Sequence, residues 1–280
     1  MNLAALNIQT STFLNYAYFV NAAYDLFETY PTLLNPTQSQ YPNFPAGYKL
    51  LFNIQMTDFF LGVKETVYYG LIAQSQSNPA NHVLAIRGTK TYIEWWDDFH
   101  ITPVPYPFAP NAGNVATGFL DLYNTMRMTA PGSSDAPVPL SLSTQPATQT
   151  NYSLAVAGTL VVAGHSLGAS LATLYAAELA GSSPGTNIAL YTYASPRTGD
   201  QNFVKYFNSK SNIVSYRIYN EPDIVPTVPF GFGYTQIPTG ISIDSLNYPK
   251  VKWNFGCFHA LVTYMYVLGG PASLLGSCLA

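Results

Sequence analysis

The segment 161–170, VVAGHSLGAS, constrains this chain more than any other. It places Ser166 in a G-x-S-x-G pattern, after an apolar, β-branched run (154–163) and before an Ala- and Leu-rich run (169–180). A strand, a tight turn and a helix in this order form a nucleophile elbow, in which a strained turn presents the serine at the end of a buried strand. Because the bare pattern also arises by chance, the alternative is a tight turn with an ordinary serine. The strand before the turn and the helix after it favour a catalytic Ser166.

The remaining segments predict one α/β domain over residues 1–280. Runs typical of strands lie at 50–55, 66–74, 82–86, 154–163, 188–194 and 213–219, and runs typical of helices at 13–30, 115–128, 169–180 and 201–210. Strands alternate with helices through the second half, so we expect a mostly parallel central sheet with helices on both faces. Residues 130–152 are rich in Ser, Thr, Pro and Gln and predict a polar, solvated insertion.

Composition narrows the class of partner. Hydrophobic residues make up 48% of the chain, and charged residues only 9%, against about 25% in a typical soluble domain. The formal net charge of −3 gives no electrostatic footprint for nucleic acid. The low charge content fits an extracellular protein, although the N-terminal residues show no signal peptide. The chain is then a mature form, leaves the cell by another route, or stays inside. We expect a secreted protein that does not bind nucleic acid, and a monomer.

Two features near the C-terminus are open to more than one interpretation. Cys257 and Cys278 either form a disulfide that ties the tail to the region around His259, or remain two free thiols. Residues 258–280 are apolar enough to suggest a membrane span, but His259 and a Gly-Gly-Pro sequence at 269–271 interrupt them. We expect a buried helix followed by coil.

A serine hydroxyl needs a base that removes its proton, and imidazole is the side chain best matched to neutral pH. The chain has four histidines. His165 adjoins the serine but is directed elsewhere by the turn, His82 opens a strand at the opposite end of the sheet, and His100 lies far upstream. Hydrolases with this elbow carry serine, acid and histidine in that chain order, and His259 alone satisfies it.

The acid that orients the imidazole should lie between Ser166 and His259, after a strand. The candidates are Asp200, Glu221, Asp223 and Asp244. Asp200 precedes a predicted helix and is better suited to capping it. Asp223 follows the strand 213–219 in a loop braced by prolines, and we favour it.

Two donors must face the oxyanion that develops during ester hydrolysis. The elbow itself supplies the backbone N–H of Leu167. The turn after strand 82–86 offers Thr89, through its N–H and its hydroxyl. The alternative for this turn is a plain connection between strand and helix.

The ordered motifs resemble those of the class 3, fungal-type triacylglycerol lipase family, which has the α/β-hydrolase fold. The similar segments are AIRGT (85–89), EWWDDF (94–99), VATGF (115–119), GHSLGAS (164–170), YASPRTGD (193–200), YRIYNEPDIVPTVP (216–229) and FHALVTY (258–264). The resemblance implies the same triad of Ser166, Asp223 and His259. It also implies a lid at about 90–100. Ala169 and Ala194 stand where the family has glycine.

The resemblance implies an ester hydrolase that needs no metal or organic cofactor. Trp95 and Trp96 would contact the acyl chain and the lipid–water interface, and Asp98 would hold the Thr89 hydroxyl towards the oxyanion. Acylglycerols are the leading substrate class, and a phospholipase or a feruloyl-type esterase is the alternative on the same scaffold. A lipid-binding protein without catalysis is the remaining possibility, but it predicts damage to the triad that the sequence does not show.

Overall fold

A computed structural model describes residues 3–58, 64–89, 100–142 and 158–280. The helix predicted at 115–128 is shorter in it, because residues 115–116 and 127–128 belong to strands. The helices are α1 (Leu3–Thr29), α2 (Thr117–Thr125), α3 (Leu167–Ser182), α4 (Gln201–Asn208), α5 (Phe255–His259) and α6 (Leu261–Val267). The strands are β1 (Tyr48–Asp58), β2 (Glu65–Ser75), β3 (His82–Ile86), β4 (Pro103–Pro105), β5 (Asn114–Ala116), β6 (Arg127–Thr129), β7 (Val138–Pro139), β8 (Thr159–His165), β9 (Asn187–Tyr193), β10 (Gly199–Asp200), β11 (Ile213–Asn220), β12 (Tyr234–Thr235) and β13 (Gly240–Ile243). Short 3-10 helices lie at Gln38–Gln40, Val225–Thr227, Ser245–Asn247 and Ala272–Cys278.

The main sheet has the strand order β13-β11-β9-β8-β3-β2-β1-β6-β7. Strands β3, β8, β9, β11 and β13 pair in parallel. Strands β2, β1, β6 and β7 continue the sheet with antiparallel pairing. Parallel neighbours need a crossover connection, and α3 supplies it between β8 and β9 and α4 between β9 and β11. Strands β1, β2 and β3 follow one another without a described helix between them, and they pair antiparallel. A second, four-stranded sheet has the order β12-β10-β5-β4.

The central strands are buried on both faces because their apolar side chains alternate between two cores. Leu84, Ile86 and Val162 face the core that contains α2, α3 and α4. Val83 and Ala163 face the opposite core, which contains α1 and α6. The helix predicted at 13–30 is thus the middle and end of α1, and it covers one face of the sheet. No described helix has the length and apolar composition needed to cross a membrane.

Two predicted segments reach beyond the described residues. The predicted lid at about 90–100, with Trp95, Trp96 and Asp98, lies outside them except for residue 100. The predicted polar insertion at 130–152 is described as far as residue 142. There it contributes β7 to the sheet, and Val138 and Leu140 are buried in the core. This part is not wholly solvated, because its apolar residues alternate and pack inward.

Candidate active site

Ser166 lies on a sharp turn between β8 and α3. Its backbone has φ 56° and ψ −127°, a conformation that non-glycine residues rarely adopt and that costs about 1–3 kcal/mol. The amide of Ser166 donates to the carbonyl of Tyr193 at 2.9 Å, and its carbonyl accepts from the amide of Ala169 at 2.9 Å. These bonds hold the strained turn in place.

Glycines on either side of the turn allow backbones to approach closely. A Cβ on Gly164 would lie 2.3 Å from the carbonyl oxygen of Gly168, and a Cβ on Gly168 would lie 2.4 Å from the carbonyl oxygens of Ile86 and Arg87. The two glycines of the motif are therefore required where β8, α3 and the end of β3 meet. Ala169, which replaces a family glycine, is fully buried inside α3.

Ser166, His259 and Asp223 lie together at the carboxyl ends of the parallel strands. The Ser166 hydroxyl donates to Nε2 of His259 at 2.8 Å, and Nδ1 of His259 donates to Oδ2 of Asp223 at 2.9 Å. All three residues are no more than 4% exposed. The geometry suits proton transfer from serine to imidazole, with the carboxylate fixing the tautomer.

The loop after β11 holds the carboxylate. Oδ1 of Asp223 accepts from the amide of Val225 at 3.0 Å, and Oδ2 accepts a second bond from the Tyr264 hydroxyl at 2.7 Å. Asn220 donates its backbone N–H to the same hydroxyl at 3.0 Å and its side-chain amide to the carbonyl of Phe258 at 2.8 Å. Burial, and then the nearby Asp223 charge, raise the pKa of Tyr264 well above its usual value, so this hydroxyl stays a donor.

The other predicted acids have different partners. Asp200 accepts from the amide of Phe203 at 2.8 Å and caps α4, as expected from its position. Asp244 caps the 3-10 helix at Ser245–Asn247, and Glu221 bonds to Ser242. None of these three bonds leads to His259, and Asp223 alone reaches it.

A second hydrogen-bonded chain runs behind the triad, from helix α1 to the backbone of the catalytic histidine. The amide of Gly88 donates to the Tyr24 hydroxyl at 2.7 Å, and this hydroxyl donates to Nδ1 of His165 at 2.8 Å. Nε2 of His165 donates to the carbonyl of His259 at 2.8 Å. Because a carbonyl only accepts, His165 must carry its proton on Nε2.

Burial lowers the pKa of His165 well below its usual value, and the neighbouring His259 lowers it further. His165 is thus a neutral support for the site and is not a competing base. The sequence predicted that His165 faces away from the reaction. It did not point to Tyr24 or Tyr264, whose partners lie 141 and 41 residues away along the chain.

One predicted oxyanion donor, Leu167, directly follows the serine, and the other, Thr89, follows a glycine that packs against it. Leu167 is the first residue of α3, and the first amides of a helix have no acceptor within it. Gly88 packs against the serine, since a Cβ there would lie 2.9 Å from Cβ of Ser166, and Thr89 follows it. The Thr89 hydroxyl is buried and has no hydrogen-bond partner among the described residues. The proposed support from Asp98 lies outside these residues.

A cavity of about 690 Å³ lies between α1 and the C-terminal segment, and His259 is the one residue of the triad in its lining. Its lining includes Thr89, His165 and His259, together with the charged residues Asp25, Glu28 and Lys252. Apolar residues such as Leu261 and Leu274 complete the lining. The cavity therefore has a lining of mixed polarity beside the catalytic histidine, on the side of the Tyr24–His165 chain.

The two cysteines form a disulfide, Cys257–Cys278, so the first of the two alternatives holds. It joins α5, which ends at His259, to the last residues of the chain. No group of three or more His, Cys, Asp or Glu side chains that could hold a metal ion occurs in the part of the chain that the structure describes.

The chain is similar in sequence to plant proteins named phospholipase A1. The chain is 33% identical over 211 residues to phospholipase A1-II 3 of rice (Oryza sativa subsp. japonica), an alignment that covers 67% of this chain and 48% of that protein. It is 34% identical over 122 residues to phospholipase A1-IIgamma of Arabidopsis thaliana, covering 40% of this chain and 29% of the relative. The chain spans about half the length of the first curated relatives it matches.

Solved structures show the fold. The lipase of Rhizopus microsporus var. chinensis has a TM-score of 0.61 at 24% identity, covering 85% of this chain and 74% of that one. The Rhizomucor miehei lipase propeptide complex has a TM-score of 0.61 at 22% identity, covering 96% and 82%. The predicted α/β-hydrolase fold is confirmed. Residues 83–232, more than half of the chain, match the family model described as Lipase (class 3), and the protein therefore belongs to the class 3 lipase family.

Proposed function

We propose that the protein is a serine carboxylic ester hydrolase that acts on lipid esters through an acyl-enzyme on Ser166. The observation that carries the proposal is the continuous hydrogen-bonded chain Ser166–His259–Asp223, with distances of 2.8 and 2.9 Å. Membership of the class 3 lipase family supports the same chemistry.

In the proposed mechanism, Ser166 attacks the ester carbonyl while Nε2 of His259 takes its proton. The charge that develops on the carbonyl oxygen is stabilised by the amide of Leu167 and by the amide and hydroxyl of Thr89. His259 returns the proton to the leaving alcohol, and the acyl group stays on the serine. Water then attacks the acyl-enzyme by the same route, releasing the acid and restoring Ser166. Asp223 keeps the imidazole oriented and stabilises its charged form. No step uses a metal or an organic cofactor.

Acylglycerols are the first candidate substrates, because the chain belongs to the class 3 lipase family. Phospholipids are the second candidate. The relatives named phospholipase A1 point the same way. Emulsified tributyrin and phosphatidylcholine vesicles, assayed in parallel by titration of released acid, distinguish the two.

A serine substitution tests the reaction. Ser166→Ala should reduce turnover of p-nitrophenyl butyrate to below about one-thousandth of the parent, since it removes the nucleophile. Circular dichroism should stay unchanged. Ser182→Ala, at the exposed end of the same helix, is the matched control and should retain full activity. Turnover by Ser166→Ala within tenfold of the parent, about 1.4 kcal/mol in barrier, contradicts the proposal.

We also propose that the protein acts outside the cell as a monomer at a lipid–water interface. The disulfide Cys257–Cys278 supports an oxidising compartment, as does the low content of charged residues. Size-exclusion chromatography with light scattering tests the monomer.

A further inference from the structure

The loop 250–255, here called the aromatic loop, exposes large apolar side chains directly before the catalytic histidine. Trp253 is 81% exposed and Phe255 is 62% exposed. Single exposed apolar residues are common on soluble proteins, but two large aromatic side chains within three residues are not, and such patches mark contact sites.

The backbone of the aromatic loop is held firmly although its side chains have little contact with the fold. The amide of Lys252 donates to the carbonyl of Cys278 at 2.8 Å, and the amide of Ala280 donates to the carbonyl of Lys250 at 2.9 Å. The disulfide Cys257–Cys278 closes the same segment. A pinned backbone keeps Trp253 pointing outward, so its exposure is built into the fold.

The aromatic loop leads into the active site. Phe255 is the first residue of α5, and His259 is the last. Four residues of helix span about 6 Å, so a surface that receives Phe255 lies close to the triad. The side chain of Asn254 caps this helix by accepting from the amide of Cys257 at 2.8 Å.

Charge indicates what kind of surface fits. Lys250 and Lys252 are exposed on either side of the buried Val251, and neither is ion-paired with a described residue. Exposed apolar side chains also follow the catalytic acid, with Ile224 directly after Asp223. Aromatic side chains insert at the level of lipid head groups, and lysines next to them are attracted to anionic lipids.

We propose that the aromatic loop docks the protein on the surface of an anionic phospholipid bilayer, with Trp253 and Phe255 inserted and Lys250 and Lys252 against the head groups. This inference rests on the proposed function and adds the surface at which it operates. It assigns the anchoring role to residues other than Trp95 and Trp96, for which the sequence analysis predicted it.

Vesicle binding in a Ser166→Ala background tests the proposal without lipid hydrolysis. The probes are unilamellar vesicles of phosphatidylcholine alone and of phosphatidylcholine with about 30% phosphatidylglycerol, an anionic content that gives a substantial negative surface potential. Trp253→Ala should weaken binding about tenfold by flotation. Lys250→Ala/Lys252→Ala should remove the preference for phosphatidylglycerol and its sensitivity to salt.

Matched controls lie elsewhere on the protein. Val214 is 55% exposed near the amino end of β11, whereas the triad lies at the carboxyl ends of the strands. Lys205 is exposed on α4. Val214→Ala and Lys205→Ala should bind vesicles like the parent. With Ser166 present, Trp253→Ala should hydrolyse vesicle lipid more slowly but p-nitrophenyl butyrate within about twofold of the parent, because the loop acts before chemistry.

Each alternative outcome has a distinct meaning. Equal binding by Trp253→Ala and Val214→Ala overturns the proposal, and so does equal binding of the parent to the two kinds of vesicle. A large loss of soluble-ester turnover in Trp253→Ala also overturns it, since the residue then acts on the site itself. If the parent hydrolyses no ester at all, the proposed function fails, whereas vesicle binding can still be measured.

Discussion

The Tyr24 hydroxyl joins helix α1 to both sides of the active site, and Tyr24→Phe should therefore reduce stability and turnover together. Phenylalanine leaves two buried groups without a partner, the amide of Gly88 and Nδ1 of His165. His165 cannot adapt by changing tautomer, because the lone pair on Nε2 would then face the carbonyl of His259. An unsatisfied buried polar group costs about 1–3 kcal/mol, and we expect a loss of about 2–4 kcal/mol in the free energy of unfolding.

The effect on turnover follows from the position of these groups. Gly88 precedes Thr89, and His165 supports the backbone of His259, so a shift in either disturbs the oxyanion donors or the base. We expect kcat on p-nitrophenyl butyrate to fall about tenfold with little change in KM, the pattern for interactions that matter in the transition state. Urea denaturation and steady-state kinetics measure the two effects.

Tyr106→Phe is the matched control. Tyr106 is also a buried tyrosine, but its hydroxyl donates one bond, at 3.3 Å, to the carbonyl of Leu174. Its substitution should cost about 1 kcal/mol and leave kcat unchanged. If Tyr24→Phe has the same small effect on stability and none on kcat, the reasoning about the Tyr24–His165 chain is refuted.

Three further predictions concern the same surroundings. Gly88→Ala should lower kcat at least about tenfold and destabilise the fold by about 1–3 kcal/mol, because its Cβ would lie 2.6 Å from the Tyr24 hydroxyl and 2.9 Å from Cβ of Ser166. Gly185→Ala is the control, because a Cβ there would have nothing within 4 Å, and it should change neither kcat nor the stability to urea. Tyr264→Phe should lower kcat about tenfold and the free energy of unfolding by about 1–3 kcal/mol, because Asp223 loses a hydrogen-bond donor. Steady-state kinetics and urea denaturation measure the two effects, and an unchanged kcat would rule out the positioning role of Tyr264. Burial lowers the pKa of His165 in the folded state, so the unfolded state binds more protons than the folded state as the pH falls below about 6.5, and the free energy of unfolding should decrease by up to about 1.4 kcal/mol for each pH unit lowered. His165→Gln should flatten this slope in urea titrations between about pH 5 and 7.5. An equal slope in both proteins argues against this role of His165.

Local sequence patterns were sufficient to select the three residues, Ser166, Asp223 and His259, that the fold brings together. Ser166 has a turn motif between a strand and a helix, and His259 is the only histidine in the required order. Asp223 follows a strand in a proline-rich loop. Each of these signals depends on residues close in the chain, and the distances of 2.8 and 2.9 Å place the three side chains in one site.

The supporting tyrosines could not be predicted in this way. The chain has 22 tyrosines, and nothing near Tyr24 or Tyr264 distinguishes them from the others. Their partners are set by how α1 and α6 pack on the sheet, which is decided by the whole core. The antiparallel half of the sheet was missed for a different reason: helices alternate with strands only in the second half, and β1 to β3 have no described helix between them. The pairing of the cysteines was open because two cysteines can exist in either state.

The pairing of β2 with β3 limits how this protein can be divided. The segment that matches the family model begins at residue 83, within β3, yet Gly70 of β2 lies so close to β3 that a Cβ would be 2.1 Å from the carbonyl oxygen of Ala85. A fragment or chimaera cut at that boundary would expose the hydrogen-bonding edge of a wholly buried strand, which invites self-association. Tyr24 and His259 also lie outside the matched segment. A chimaera built from this protein therefore has to carry the N-terminal helix and strands, and the C-terminal segment with His259, along with residues 83–232.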